Sequence, residues 1–168
     1  AAAVREIAAE FRRREIPCDA IHLDIDYMRG YRVFTPDPTR FQDLSGLARD
    51  CSAQGIRLVT IVDPGVKRDP DWDVYRSGEE AGVFCKMPDG RAAIAPVWPG
   101  WCAFPDFTDP QARAWWGSLY PRLLDQGIAG FWHDMNEPAT VQAWGESTLP
   151  SVTRHALEGR GGDHRQAH

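Results

Sequence analysis

The sequence predicts an α/β fold, a partial (β/α)8 barrel of the TIM type. About three βα units of parallel strands are expected, with an aromatic-rich insertion after the second strand. Two observations carry this prediction. A helical apolar stripe is followed by a strand-like run three times over, the alternation that produces right-handed parallel units. Each strand-like run also closes on a carboxylate: Asp24 with Asp26, then Asp63, then Asp134. Acids gathered at the C-terminal ends of successive strands are the layout of a barrel active site. Open doubly wound sheets bind ligands at the same ends, but no glycine-rich phosphate loop follows any strand here.

The elements follow in chain order. Val4, Ile7, Ala8 and Phe11 fall at i, i+3, i+4 and i+7, one face of a helix that ends by Pro17. Residues 19 to 26 alternate and read as the first strand, with His22, Asp24 and Asp26 on one face and Leu23 and Ile25 on the other. Tyr27 to Pro38 reads as a loop. Leu44, Leu47, Ala48 and Cys51 repeat the helical spacing, and Gly55 stands where a left-handed C-terminal cap belongs. Ile56 to Val62 is continuously apolar and β-branched, as a parallel strand covered on both faces should be, and it ends on Asp63.

Residues 64 to 107 break this rhythm with several Pro and Gly and with Trp72, Tyr75, Phe84, Trp98, Trp101, Phe104 and Phe107. So long a loop in a compact domain is uncommon unless it is functional or carries its own small structure. Its aromatic content favours a packed insertion, expected to lie over the C-terminal ends of the strands. A third helix opens with Asp109 as N-cap and Pro110 at the first helical position. Its apolar stripe is Ala112, Trp115, Trp116, Leu119, Tyr120, Leu123 and Leu124, a register that places both tryptophans in the core. Gly127 ends that helix, and residues 128 to 134 form the third strand. That strand delivers Asp134, beside Trp132, to an open rim, and Pro138 stops further regular structure.

Composition bounds the function. The chain has 168 residues, 43% of them hydrophobic, enough for one domain with a core. A formal charge of −5 argues against nucleic acid as a partner. The longest apolar runs are strand-sized, which argues against a membrane span. The cysteines at 18, 51, 85 and 102 are widely separated, without a C-x-x-C pair, and read as free thiols in a reducing, cytoplasmic compartment. Three units cannot close a barrel that takes eight strands. Residues 1 to 168 are therefore expected to be an internal fragment of a single catalytic domain, with the remainder of that domain as partner and 64 to 107 as an insertion within it.

Six motifs occur in order, Asp24-Ile-Asp-Tyr-Met28, Phe34-Thr35, Val62-Asp-Pro-Gly65, Val97-Trp-Pro-Gly100, Phe104-Pro-Asp-Phe-Thr108 and Phe131-Trp-His-Asp-Met-Asn-Glu-Pro138, followed by a tail from Gly162 to His168. Together they resemble the catalytic domain of family 31 glycoside hydrolases, the α-glucosidases and α-xylosidases. The resemblance implies that Asp134 is the nucleophile of a retaining α-glycosidase acting on an oligosaccharide or α-glucoside without a cofactor or metal. It likewise implies that Asp24, Ile25, Trp98, Trp132 and Met135 line the pocket for the terminal sugar. A carboxylate can hold two hydroxyls, and indole faces cover the apolar side of a pyranose. A retaining enzyme needs two carboxyl groups about 5 Å apart. In the family the acid comes from a later strand, and Glu137 reads as a supporting residue that does not replace it. His133 stands where many members carry Asn, and its side chain is expected to face away from Asp134. Val141 stands where some relatives place an aromatic beside the leaving-group sugar.

Other readings compete. His22, Asp24, Asp26 and Asp63 could bind a divalent metal and activate water. Trp72, Trp98, Trp101 and Trp132 could serve a non-catalytic carbohydrate-binding module. Within the family, α-xylosidases and α-transglucosylases carry the same motifs.

Overall fold

The computed structural model of the chain describes residues 1–141, 145 and 147–167. His168, which closes the tail motif, lies outside the described residues. In chain order the elements are α1 (Ala2–Arg13), β1 (Ala20–Leu23), α2 (Leu44–Ala53), β2 (Arg57–Val62), β3 (Val66–Lys67), α3 (Asp73–Glu80) and β4 (Ile94–Val97). There follow β5 (Gly100–Ala103), α4 (Pro110–Gly117), α5 (Pro121–Leu124), β6 (Gly130–His133), β7 (Arg154–His155), β8 (Gly162–Asp163) and α6 (His164–Ala167). Two compact units result, Ala1–Val62 with Tyr120–Asp134, and Asp63–Leu119 with the chain from Met135 onward.

The first unit is a parallel sheet in the order β1-β2-β6. Leu23 pairs with Thr60, and Thr60 with Phe131, so one transverse row runs through the three strands. The face carrying Leu23, Leu58, Thr60 and Val62 is buried. On the opposite face Ile61 is buried, Val59 and Trp132 are half-buried and His22 is exposed. Coverage of β2 on both faces is thus incomplete. Helix α2 packs on β2. Its N-terminus is capped by Asp43, whose carboxylate accepts from the Gly46 amide at 2.6 Å. Gly55 takes the expected left-handed conformation, φ +73°. Arg12, at the end of α1, donates to the Gln54 and Cys18 carbonyls at 2.8 and 2.7 Å, tying the exit of α2 to the entry of β1. On α1 itself Ala8 is fully buried and Ile7 is 48% exposed.

The strands are shorter than their sequence patterns. The 19 to 26 alternation yields only Ala20–Leu23, because the Asp24 side chain accepts from the Ile25 amide at 2.7 Å and starts a 3-10 turn at Ile25–Tyr27. His22, Asp24 and Asp26 therefore do not continue one strand face. The turn is anchored by the buried Tyr27, whose hydroxyl donates to the Ile61 carbonyl at 3.0 Å. The third helix is likewise two: Pro121 has no amide proton to continue a helix from α4 and instead opens α5. Within the predicted stripe Trp116 is buried, Trp115 is half-buried, and Leu124 is 47% exposed.

The second unit is built on an antiparallel sheet in the order β3-β5-β4. Its core is Cys85, Ala93, Ala95, Cys102, Phe104 and Leu149. Tyr75 of α3 stacks on Phe84 with centroids 5.7 Å apart, and Trp115 meets Phe84 edge-on at 5.8 Å. Gly78 is required at that junction, since a Cβ there would sit 2.5 Å from Phe84 Cζ and 2.8 Å from Trp115 Cζ2. No disulfide joins the cysteines.

Candidate active site

In the first unit the parallel register fixes where the acids stand. Asp24 directly follows β1 and Asp134 directly follows β6, so both lie at the C-terminal edge of the same sheet. Asp24 is one residue past Leu23, which pairs with Thr60, and Asp134 is one residue past His133, which pairs with Val62. The β1 and β6 strands are separated by β2, a lateral distance of roughly 10 Å. Both carboxylates are exposed. Ile25 is half-buried in the 3-10 turn beside Asp24. Trp132 shares its sheet face with His22, and the two rings meet edge-on with centroids 6.4 Å apart. The next residue, His133, turns to the Phe131 side, where its Nε2 lies 2.5 Å from the Tyr120 hydroxyl and Tyr120 also packs edge-on against Phe131 at 4.6 Å.

In the second unit Trp98 occupies the turn between β4 and β5 and is 52% exposed. Its indole Nε1–H donates to the Met135 sulfur at 3.0 Å. Met135 adopts φ +60°, an uncommon conformation for a residue with a side chain. The segment it begins is pinned to the β4 strand, because the Val141 amide donates to the Pro96 carbonyl at 2.9 Å. Trp101 is also exposed, at 54%, whereas Trp72 is buried and offers no face to a sugar.

The second unit also contains a site that the sequence reasoning did not single out. Asp106, inside the Phe104-Pro-Asp-Phe-Thr108 motif, accepts at Oδ1 from the Thr108 amide (3.1 Å) and hydroxyl (2.6 Å) and at Oδ2 from the Ala156 amide (2.6 Å). His155 Nδ1 lies 3.2 Å from Oδ1. Burial opposes the charge of Asp106, but the His155 ring, the Thr108 hydroxyl and the Ala156 amide outweigh it and hold the carboxyl at about 2. The Asp-x-Thr pattern was the one visible signal; the histidine partner stands 49 residues away. Cys85, Asp106 and His155 are also the one group among the described residues whose possible metal-ligand atoms converge, within 4.8 Å of one another. His22, Asp24 and Asp26 form no such group.

The chain was compared with known proteins. The family profile described as "Glycosyl hydrolases family 31 TIM-barrel domain" matches residues 1–168. Alpha-glucosidase 2 of Bacillus thermoamyloliquefaciens is 46% identical over 165 residues, 98% of this chain and 21% of that protein. Among solved structures, a DNJ-bound glucosidase II alpha subunit superposes with a TM-score of 0.89 at 30% identity, covering 98% of this chain and 18% of that one. A family 31 alpha-glucosidase from Bacteroides thetaiotaomicron gives 0.77 at 45% identity, covering 86% of this chain and 24% of that one. The chain thus spans about a fifth of the length of the relatives it matches.

Proposed function

The chain belongs to the TIM-barrel domain of the family 31 glycosyl hydrolases, and from that premise we propose that its parent protein is a retaining α-glucosidase with Asp134 as nucleophile. The observation that carries this reading is the exposure of Asp24 and Asp134 just past two parallel strands of one sheet. A gap of roughly 10 Å between their strands exceeds the ~5 Å separation of a nucleophile and acid in a retaining enzyme, yet admits a sugar ring. This supports Asp24 as a hydroxyl-gripping residue, with Asp134 attacking the anomeric carbon. Ile25 and Trp132 of the same unit supply apolar wall, and the family resemblance assigns sugar contacts to Trp98 and Met135 as well.

The reaction proceeds in two displacements. The Asp134 carboxylate forms a bond to the anomeric carbon as the glycosidic C–O bond breaks, and an acid contributed by the rest of the parent domain protonates the departing oxygen. That residue, now a base, takes a proton from water, which attacks the ester and frees Asp134. The covalent intermediate has the inverted, β configuration, and the released sugar recovers the α configuration of the substrate.

The parent protein, assayed on an activated aryl α-glucoside, is expected to release sugar with retained configuration and to keep its activity in EDTA. Inverted product would rule out the double displacement, and loss of activity on chelation would favour a metal-dependent hydrolase. Residues 1–168 alone should be at least ~10²-fold slower, because they carry no assigned general acid; equal activity would mean the acid lies within them.

A further inference from the structure

The second unit holds a buried polar chain that the two displacements do not use. Asp106, His155 and His164 are 7%, 8% and 5% exposed. A carboxylate can only accept, so the His155 Nδ1 beside it carries that ring's proton. In the neutral ring Nε2 then accepts from His164 Nδ1, 2.9 Å away, and the rings stack with centroids 5.1 Å apart. His164 Nε2 is left to accept from the Thr148 hydroxyl at 3.0 Å. Beyond it the path runs through backbone. The Thr148 carbonyl accepts from the Thr140 hydroxyl at 3.3 Å, and the Ser147 carbonyl accepts from the Thr140 amide at 2.8 Å. Thr140 belongs to the segment that begins at Met135, where the Ala139 amide donates to the Met135 carbonyl at 3.1 Å.

We propose that Asp106, His155, His164 and Thr148 are positioning residues whose hydrogen-bond chain fixes residues 135 to 141 and so sets Met135 against Trp98 at the sugar. The proposal rests on the assignment of Met135 and Trp98 to the sugar pocket. Cys85 Sγ lies 3.8 Å from His155 Nδ1, and with Asp106 this trio has the ligand types of a zinc site. The hydrogen bonds favour the relay instead. Both Asp106 oxygens already receive N–H or O–H donors.

The test uses the parent enzyme. Thr148→Val removes the hydroxyl at nearly constant volume, and KM for an aryl α-glucoside should rise about five- to tenfold, the worth of one hydrogen bond, with kcat within about twofold. Thr148→Ser should restore KM. His164→Gln, whose amide reaches Thr148 but not His155, and His164→Asn, which reaches His155 but not Thr148, each break the chain at one link, and both should match Thr148→Val. An unchanged KM in Thr148→Val, or in either His164 variant, overturns the relay. A parent without glycosidase activity would defeat the functional reading instead, and the relay is then read from the Trp98 indole ¹⁵N–¹H resonance, expected to shift in Thr148→Val and return in Thr148→Ser; no shift overturns it. One equivalent of zinc bound by the parent and lost in Cys85→Ala would replace the relay with a metal centre.

Discussion

Asp134 and Asp106 are carboxylates of opposite circumstance. Asp134 follows the last strand of a parallel sheet and is exposed; Asp106 is buried within a shell of donors from Thr108, His155 and Ala156. An acid surrounded by donors is stabilised as an anion and shielded from a reacting atom, so its charge serves the fold. An acid at an open strand end keeps a face for a substrate. Burial thus separates two aspartates that sit in equally conspicuous sequence motifs.

The largest expected effect breaks this contrast if it fails. In the parent enzyme Asp134→Ala should lower kcat on the order of 10⁴-fold or more while leaving the unfolding midpoint within a few degrees. Azide should partly restore reaction, giving product of inverted configuration, because the small anion fills the space of the lost carboxylate. Near-normal turnover in that variant would move the nucleophile elsewhere.

Asp106→Ala should instead cost stability, about 3–5 kcal/mol in urea unfolding, since it strands the buried donors of His155 and Ala156. A change under 1 kcal/mol would mean that this shell adds nothing to the fold. The pH dependence sharpens the same point. Because the folded carboxyl titrates at about 2, below its ordinary 3.8, its stabilisation is complete above about pH 5 and disappears as pH falls through about 2. The stability gap between the parent and Asp106→Asn should therefore narrow by on the order of 2 kcal/mol between pH 5 and pH 2. A gap independent of pH over that range contradicts the assignment.

The smallest effect belongs to a carboxylate of neither kind. Asp50 in α2 accepts from Arg5 Nε at 2.7 Å with both side chains largely solvent-exposed. Solvent screens such a pair, and Asp50→Asn should change unfolding free energy by less than about 1 kcal/mol. A larger loss in the same urea series would show that exposure is a poor guide to which acids hold this fold.

The parallel sheet and its carboxylate edge were legible in the sequence because their signals are local. The β-branched run of β2 and the stripe at Leu44, Leu47, Ala48 and Cys51 each specify an element from neighbours along the chain, and parallel order follows from their alternation. Two boundaries were not legible that way. Asp24 looked like one more residue of an alternating strand, yet its side chain captures the Ile25 amide and turns the chain. The stripe running from Ala112 to Leu124 looked like one helix, although Pro121 divides it.

By itself the sequence determined the parallel strands, the carboxylates that lie just beyond them and the family to which they belong, since short-range periodicity and contiguous motifs encode all three. Tertiary structure alone decided which conspicuous residues are accessible. Trp72 and Trp98 read alike as aromatic platforms, but one is buried and the other half open. Asp106, His155, His164 and Thr148 come together only because folding closes separations of 49, 9 and 16 residues. Hydrogen bonds between such distant groups leave no periodic trace, because their geometry depends on where whole elements pack.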